Sequence, residues 1–547
     1  MKSVMEWTNK GLQRDLVIFG LFLLAAIGVY ENSLGNSFHY DDQLYVEDNQ
    51  NIRTLRNLPR FFTTPRMIAS DPSKAGHYRP LVVTSYAINY ALGGLDPVGY
   101  HLVNLAFHLG SAFLIFLIMK AMLGGSAGFF ASIAAGLIFL VHPFNSEAVN
   151  YITARSSVMS GFFYLLAFYS WVRFREGTSW HRYFYWVSFL AFVAGMLSKE
   201  VVITLPLVLW LYDLYFGRHR SGSAAAGTKT LRNLLDWRAY IPYLPFVLIG
   251  VVPYFIIRAF SFGEALPHFK RDLWTQMFTG FPVLVQHWKM FLVPTPLSLV
   301  HSVEIHEIFW SFAVIQSLLI LVIYMAIAIF LSLILSRPWR VVSFFMFWFF
   351  IVLSPILIFP LNAIFQENRG YIAVVSFAVL TGVMAGELWK TRMWKVAFGG
   401  FVLMTLIYAA DVVQRNRVWR DGVTLWSDAA QKAPDIPIAH SALGTAYRKA
   451  GMYDQAIGAY RRAKAVGGPN YSAARYHLAQ VYIAQERWDL AARELERVRE
   501  ILLDSLQDRD DLEIVYNDLG MVYSKSGQSE LAEKLFKEAA GHPGKAR

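Results

Sequence analysis

Apolar residues come in long blocks through the first three quarters of the chain, and each block ends on a polar or basic joint. Blocks near 20 residues match the thickness of a bilayer's hydrocarbon core, which a helix must cross with its backbone groups satisfied internally. The pattern predicts about eleven spans: Leu16–Tyr30, Val98–Met119, Gly128–Val141, Ser157–Val172, Tyr183–Leu197, Val201–Phe216, Tyr240–Ile257, Phe309–Leu335, Val341–Leu361, Tyr371–Trp389 and Val396–Ala410. Basic joints alternate along them. Lys2, Lys10 and Arg14 precede the first span. Arg173, Arg175 and Arg182 follow the fourth, and Arg218, Arg220, Lys229, Arg232 and Arg238 follow the sixth. Arg337 and Arg340, then Lys390 to Lys395, mark the later joints. Basic residues gather on the cytoplasmic side, so this alternation predicts a cytoplasmic N-terminus. No small-residue cleavage site follows the first block, so an uncleaved span is expected rather than a signal peptide. An odd number of spans then puts everything after Asp411 outside.

Two stretches depart from this pattern. Residues 35–97 form a polar first extracytoplasmic loop, whose Arg79–Leu92 segment predicts an amphipathic helix at the interface. Trp274–Val293 is long enough to cross, but Gly280, Pro282, Gln286, His287 and Lys289 interrupt it, so a re-entrant or interfacial segment is expected.

After residue 414 the period changes. Leu443-Gly444, Tyr447, Ala456, Tyr460 and Ala463 recur as Leu478-Ala479, Tyr482, Ala491, Leu495 and Val498, then as Leu519-Gly520, Tyr523, Ala532, Phe536 and Ala539. A period near 34 residues with alternating small and large positions is that of tetratricopeptide (TPR) helix pairs. Trp426, Ala429 and Pro434 match the second half of one more unit. The longer second interval predicts a loop or extended helix near Ser505–Asp511. The expected fold is all-α: a polytopic membrane helix bundle over 1–414, then a soluble α-solenoid of TPR pairs over 415–547.

Composition agrees. Of 547 residues, 55% are hydrophobic and 16% aromatic, with mean hydropathy +0.36, more apolar than a soluble chain of this length. Residues 415–547 carry 20 basic against 18 acidic side chains, a net +2 that leaves +9 of the chain's +11 in the membrane part. The positive-inside rule accounts for that excess, and nucleic acid is not an expected partner. The absence of cysteine excludes disulfides, thiolate metal sites and cysteine nucleophiles.

The candidate chemistry begins at Asp41 and Asp42, two adjacent carboxylates just beyond the first span. Charge beside hydrocarbon is costly unless it does something. On the expected topology, outer span ends add Arg79, His142 with Glu147, Arg155, Lys199 with Glu200, and Glu367 with Arg369. Each has an ordinary reading alone: Arg79 as an interfacial anchor, His142-Pro143 as a helix-end break, Lys199-Glu200 as a local ion pair, Arg369 reaching to headgroups. Together they suit transfer from an anionic lipid. A carboxylate serves as general base, while Arg and Lys hold a phosphate as it leaves. No glycine-rich nucleotide loop occurs. A divalent cation beside Asp41, Asp42 and His39 is compatible with these residues, but no ligand spacing requires one.

The motifs Tyr40-Asp41-Asp42, Tyr78-Arg79-Pro80-Leu81 with His101, Asn104 and His108, His142-Pro143 with Glu147-Ala148, Ala154-Arg155, Ser198-Lys199-Glu200 and Glu367-Asn368-Arg369-Gly370-Tyr371 come in one order ahead of the repeats. In this the chain resembles the GT-C membrane glycosyltransferases, specifically bacterial relatives of the transmembrane-and-TPR protein O-mannosyltransferases. The resemblance implies a polyprenyl-phosphate sugar donor and an outward-facing site in a bacterial inner membrane. It implies that the acidic pair, Asp41 first and Asp42 second, acts as base or acceptor-positioning group. Protein hydroxyls are the expected acceptors, with the TPR groove, on the periplasmic side, presenting the peptide. The alternative is a non-enzymatic scaffold for envelope polysaccharide or secretion machinery, in which the acidic pair is structural.

Overall fold

The structure is a computed structural model that describes residues 2–71, 77–177, 180–217, 237–256, 271–333, 336–359, 363–468, 470–504 and 511–541. It is helical throughout, with no strand among the described residues. The chain divides into two compact units, one of residues 1–297 and 303–419, the other of residues 298–302 and 420–547. The expected boundary at 414/415 lies within a helix that runs on to Val418.

The first unit is built on α1 (Lys2–Tyr30), α2 (Leu58–Thr63), α3 (Pro80–Gly93), α4 (Pro97–Leu123), α5 (Gly125–Val141), α6 (Ser146–Asn150), α7 (Arg155–Arg175), α8 (His181–Met196) and α9 (Leu205–Phe216). It continues with α10 (Leu273–Leu292), α11 (Phe312–Leu333), α12 (Arg337–Ile358), α13 (Val375–Trp389) and α14 (Trp394–Val418). Among the described residues, each of the eleven expected spans falls mainly on helix. Five helices are long and apolar enough to cross a membrane, and six if the bent pair Gly125–Val141 and Pro143–Asn150 is one span. The rest are shorter or more polar, as with Tyr240–Ile256 and Val375–Trp389. The interrupted Trp274–Val293 stretch folds as α10 with Pro282 inside it. The segment expected to lie on the interface becomes α3, whose Val82, Val83, Tyr86 and Ala87 pack into the bundle. Arg218, Arg220, Lys229 and Arg232 lie outside the described residues, as does residue 505–510 of the expected inter-repeat loop.

Small side chains set how closely the helices approach. Gly382 and Gly386 of α13 form a small-xxx-small pair facing Ala127, Ala131 and Ala135 of α5; a Cβ on Gly382 would sit 2.5 Å from the Ala131 carbonyl oxygen. In lipid there is no hydrophobic drive between helices, so such close backbone packing is what holds them together. Aromatic rings fill the wider gaps: Phe168 stacks on Phe344 at 5.5 Å and meets Trp348 edge-on at 5.2 Å. Charged groups in these apolar helices are paired. Lys120 Nζ lies 2.6 Å from Asp15, tying α4 to α1, and Arg175 lies 2.8 Å from Asp213, tying α7 to α9.

The second unit holds α15 (Gly422–Lys432), α16 (Pro437–Lys449), α17 (Tyr453–Gly467), α18 (Ser472–Ala484), α19 (Trp488–Asp504), α20 (Leu512–Lys525) and α21 (Ser529–Gly541). Helices α16 to α21 make the three expected pairs, and α15 is the extra half-unit. An Asp421/Thr424 capping box starts α15. Gly444 lies against the Tyr460 ring, where a Cβ would come within 2.7 Å. Glu494 receives Lys464 of the preceding repeat at 2.7 Å and Arg475 of its own repeat at 2.8 Å.

Gly382→Leu forces a side chain into backbone and is expected to cost about 3 kcal/mol. A lowered melting temperature in detergent checks this, with Gly399→Leu, where nothing lies within 4 Å, expected to melt like the parent.

Candidate active site

The loop after α1 turns sharply at Tyr40, whose φ of +49° lies in the left-handed region that non-glycine residues avoid. Such strain costs on the order of 1 kcal/mol and persists only where its surroundings enforce it. The enforcement comes from both sides. Upstream, the His39 ring Nε2 lies 2.6 Å from the Trp419 carbonyl oxygen. Downstream, the Asp42 carboxylate accepts from the His39 backbone N–H at 2.9 Å, from the Thr153 N–H at 2.7 Å and from the Thr153 hydroxyl.

The two acidic residues are therefore unequal. Asp42 is 1% exposed, with both oxygens engaged. Burial pushes its carboxyl up to about 7, against the pull of these donors. Asp41 is only half-buried. Its backbone N–H donates to the Tyr151 hydroxyl at 3.1 Å. Burial raises its carboxyl above the ordinary range, opposed by the Tyr151 hydroxyl and by the charge of Arg79.

Arg79 precedes α3 and lies 3.1 Å from Glu200, with a further hydrogen bond to Ser156 at 3.3 Å. Burial works against ionisation of Glu200, but the Arg79 and His77 charges hold its carboxyl well below the usual range. Lys199 turns the other way. Its Nζ donates to Ser157 Oγ at 2.7 Å and to Asn368 Oδ1 at 3.3 Å. Burial, helped by the Arg79 charge, pulls its ammonium down to about 7. Arg369 feels Glu200, Arg79 and Glu147, and burial lowers it to about 10; one of its N–H groups donates to the Ala363 carbonyl. Glu147 is buried on α6, accepts from Asn368 Nδ2, and feels the charges of Glu367, Arg415 and Lys199. Asp41, Arg79, Glu200, Lys199, Arg369, Glu147 and Glu367 thus belong to one electrostatic network spread over four connecting segments and the short helix α6.

Two expected members stand apart from it. His142 is fully buried: Nδ1 accepts from the Phe144 N–H at 3.2 Å, Nε2 lies 3.0 Å from the Phe291 carbonyl, and Tyr408 and Phe377 cover the ring. It shapes the break after α5. Arg155 is likewise buried and saturated by neutral acceptors: Asn104 at 2.8 Å, Asn89 at 2.7 Å, Ser85 at 2.9 Å and the Tyr100 carbonyl at 2.9 Å. Its guanidinium stacks 4.7 Å over Tyr86. It pins α3, α4 and α7 together.

Residues that the motif reading left out complete the floor. Tyr151 stacks on Trp419 at 5.7 Å. Asn416 donates to Val29 O at 2.8 Å and to Asn32 at 2.7 Å, and accepts from Asn150 at 2.8 Å and Asn36 at 3.0 Å. That knot joins the end of α1, α6 and α14. Single hydroxyls and amides such as Thr153 and Asn416 carry no sequence signal of their own. Among the described residues, no group of three or more His, Asp or Glu is arranged to hold a metal ion.

Thr153→Val leaves the buried Asp42 short of one donor and is expected to cost about 1–3 kcal/mol. Asp42→Ala, which frees three donors, should cost more, and thermal melts of the two variants check the order.

The tetratricopeptide-repeat family matches residues 439–468 and 470–541. Among curated relatives, protein O-mannosyl-transferase Tmtc1 of Drosophila melanogaster is 35% identical over 210 residues, 37% of this chain and 24% of that protein. Protein O-mannosyl-transferase tmtc2 of Xenopus laevis is 33% identical over 204 residues, 35% of this chain and 24% of its own length. Tmtc3 of Drosophila melanogaster matches more of the chain, 23% identical over 520 residues, 83% of this chain and 55% of that protein. The chain thus spans about a quarter to a half of the length of these relatives. ArnT from Cupriavidus metallidurans, bound to undecaprenyl phosphate, aligns over 90% of this chain and 80% of its own at 14% identity and a TM-score of 0.43, too distant to carry a functional argument. The chain is a multi-pass membrane protein with C-terminal tetratricopeptide repeats, and a relative of the protein O-mannosyl-transferases.

Proposed function

We propose that this chain is a membrane glycosyltransferase that moves a sugar from a polyprenyl-phosphate donor to a hydroxyl acceptor, a protein serine or threonine first among candidates. The observation that carries this reading is the split of the acidic pair: a held Asp42 beside a half-exposed Asp41 that faces the charge of Arg79. Asp41 takes the proton from the acceptor hydroxyl as its oxygen bonds to the anomeric carbon. The bond from that carbon to the phosphate oxygen breaks, and the lipid phosphate leaves with the electron pair. Lys199 and Arg79 offset the charge that builds on it, with Arg369 behind them. A donor anchored in lipid reaches such a site from the membrane without a nucleotide fold. That the relatives are protein O-mannosyl-transferases supports mannose as the first sugar to test. The repeats support a peptide-presenting role, with the active site in an extracytoplasmic loop.

Asp41→Asn is expected to lower transfer at least a hundredfold with melting unchanged, read as loss of the sugar mass from envelope proteins in cells that express the variant. Undiminished glycan with Asp41→Asn would instead favour a scaffold whose acidic pair is structural. The pH profile of kcat/KM gives a second test. Asp41 must be ionised, so activity climbs with pH through a limb above the ordinary carboxylate range. Lys199 must be charged, so activity falls as pH rises through about 7. The result is a bell whose alkaline limb is absent from Lys199→Arg.

A further inference from the structure

Lys199 has three N–H bonds, and two of them are held. Ser157 Oγ lies 2.7 Å and Asn368 Oδ1 3.3 Å from its Nζ, and the two acceptors are themselves 3.3 Å apart. The Asn368 amide is not free to turn. Its Nδ2 donates to Glu147 Oε1, so its oxygen must face the ammonium. Asn368 and Ser157 are buried, which keeps water from competing for these contacts. Glu147 is buried too, and its second oxygen has no hydrogen-bond partner among the described residues. Burial and the neighbouring Glu367 charge raise its carboxyl well above the ordinary range, and the amide donor of Asn368 is the contact that opposes them. Two helices and two connecting segments therefore meet around one nitrogen: Ser157 from α7 and Asn368 from the 3-10 turn Glu367–Gly370 accept from Lys199, in the joint after α8, and Glu147 from α6 holds Asn368.

We infer that Asn368 is a positioning residue: held by Glu147, it works with Ser157 to fix the Lys199 ammonium so that one N–H remains for the donor phosphate. This rests on the proposed role of Lys199 and goes beyond it, because it names what sets the direction of that charge. An ammonium on a four-carbon stem otherwise samples many rotamers, and each mispointed one weakens its grip on phosphate. The charged groups facing Lys199 are Arg79, Glu200, Arg369 and Glu147. Asn368 is the neutral dipole among them, so its substitution changes the Lys199 proton affinity in a direction fixed by what replaces it. Alanine removes an acceptor from the ammonium and lowers its affinity for the proton. Aspartate adds an anion beside it and raises that affinity.

The test is binding of polyprenyl monophosphate to the full-length protein in detergent, followed against pH. Asn368→Ala is expected to weaken binding about tenfold at neutral pH and to move the alkaline loss of binding to lower pH. Asn368→Asp should move that loss to higher pH. Opposite displacements are the signature, since a residue that merely stabilised the fold would lower binding in both variants without moving the pH at which it is lost. Should Asn368→Asp fail to fold, Asn368→Ser, which keeps an acceptor, is expected to retain the parental pH dependence, while Asn368→Ala does not. Unchanged pH dependence in folded Asn368→Ala, with Lys199→Met abolishing binding, would overturn the role of Asn368 alone. Full binding by Lys199→Met would overturn the phosphate-holding role of Lys199 on which it rests.

Discussion

The candidate site depends on one buried carboxylate. Asp42 collects the His39 N–H, the Thr153 N–H and the Thr153 hydroxyl, and so ties the loop after the first helix to the segment between α6 and α7. With the His39–Trp419 contact upstream, that clamp holds Tyr40 at positive φ and Asp41 beside Tyr151. Hydrogen bonds from several donors are what make a desolvated carboxylate tolerable, and the same bonds use up its capacity for chemistry. In the proposed reaction, holding and reacting are therefore divided between neighbours, one buried and saturated, the other half-exposed.

The cations follow the same rule. Arg155 and Arg79 both stand beside the loop, yet every contact of Arg155 is to a neutral acceptor or an aromatic face, which makes it a strut between helices. Arg79 and Lys199 lie among carboxylates and hydroxyls near Asp41, with Glu200 and Asn368 setting their direction. In the proposed reaction the struts stay fixed while the second group meets the phosphate. A polar knot at Asn416 and the close α5–α13 contact keep both groups in register.

Much of this was legible in the sequence, and the reasons are physical. Spans and repeats show through because hydrocarbon thickness and helix-pair packing impose periods of about 20 and 34 residues. Adjacent Asp41 and Asp42 showed as a feature, but not how they divide the work, since that turns on Thr153, whose hydroxyl looks like any other. His142 and Arg155 drew attention by charge and motif alone; burial and saturated partners, which no spacing reports, turned them into packing elements. Lys199-Glu200 read by adjacency alone as a local ion pair, but Glu200 bonds Arg79 while Lys199 bonds Ser157 and Asn368, partners distant in sequence. Arg79–Leu92 looked interfacial from its length, and the structure adds that Val82, Val83, Tyr86 and Ala87 of this segment are buried against the bundle.

In the proposed reaction the sugar arrives on a lipid phosphate. The most direct measurement places the purified full-length chain in proteoliposomes with labelled mannose supplied either on polyprenyl phosphate or on a nucleotide, together with a serine- and threonine-rich acceptor peptide. Label is expected on the peptide from the lipid-linked donor alone, with free polyprenyl phosphate released in equal amount. Transfer from the nucleotide-linked donor, or no transfer from the lipid-linked one, would contradict it.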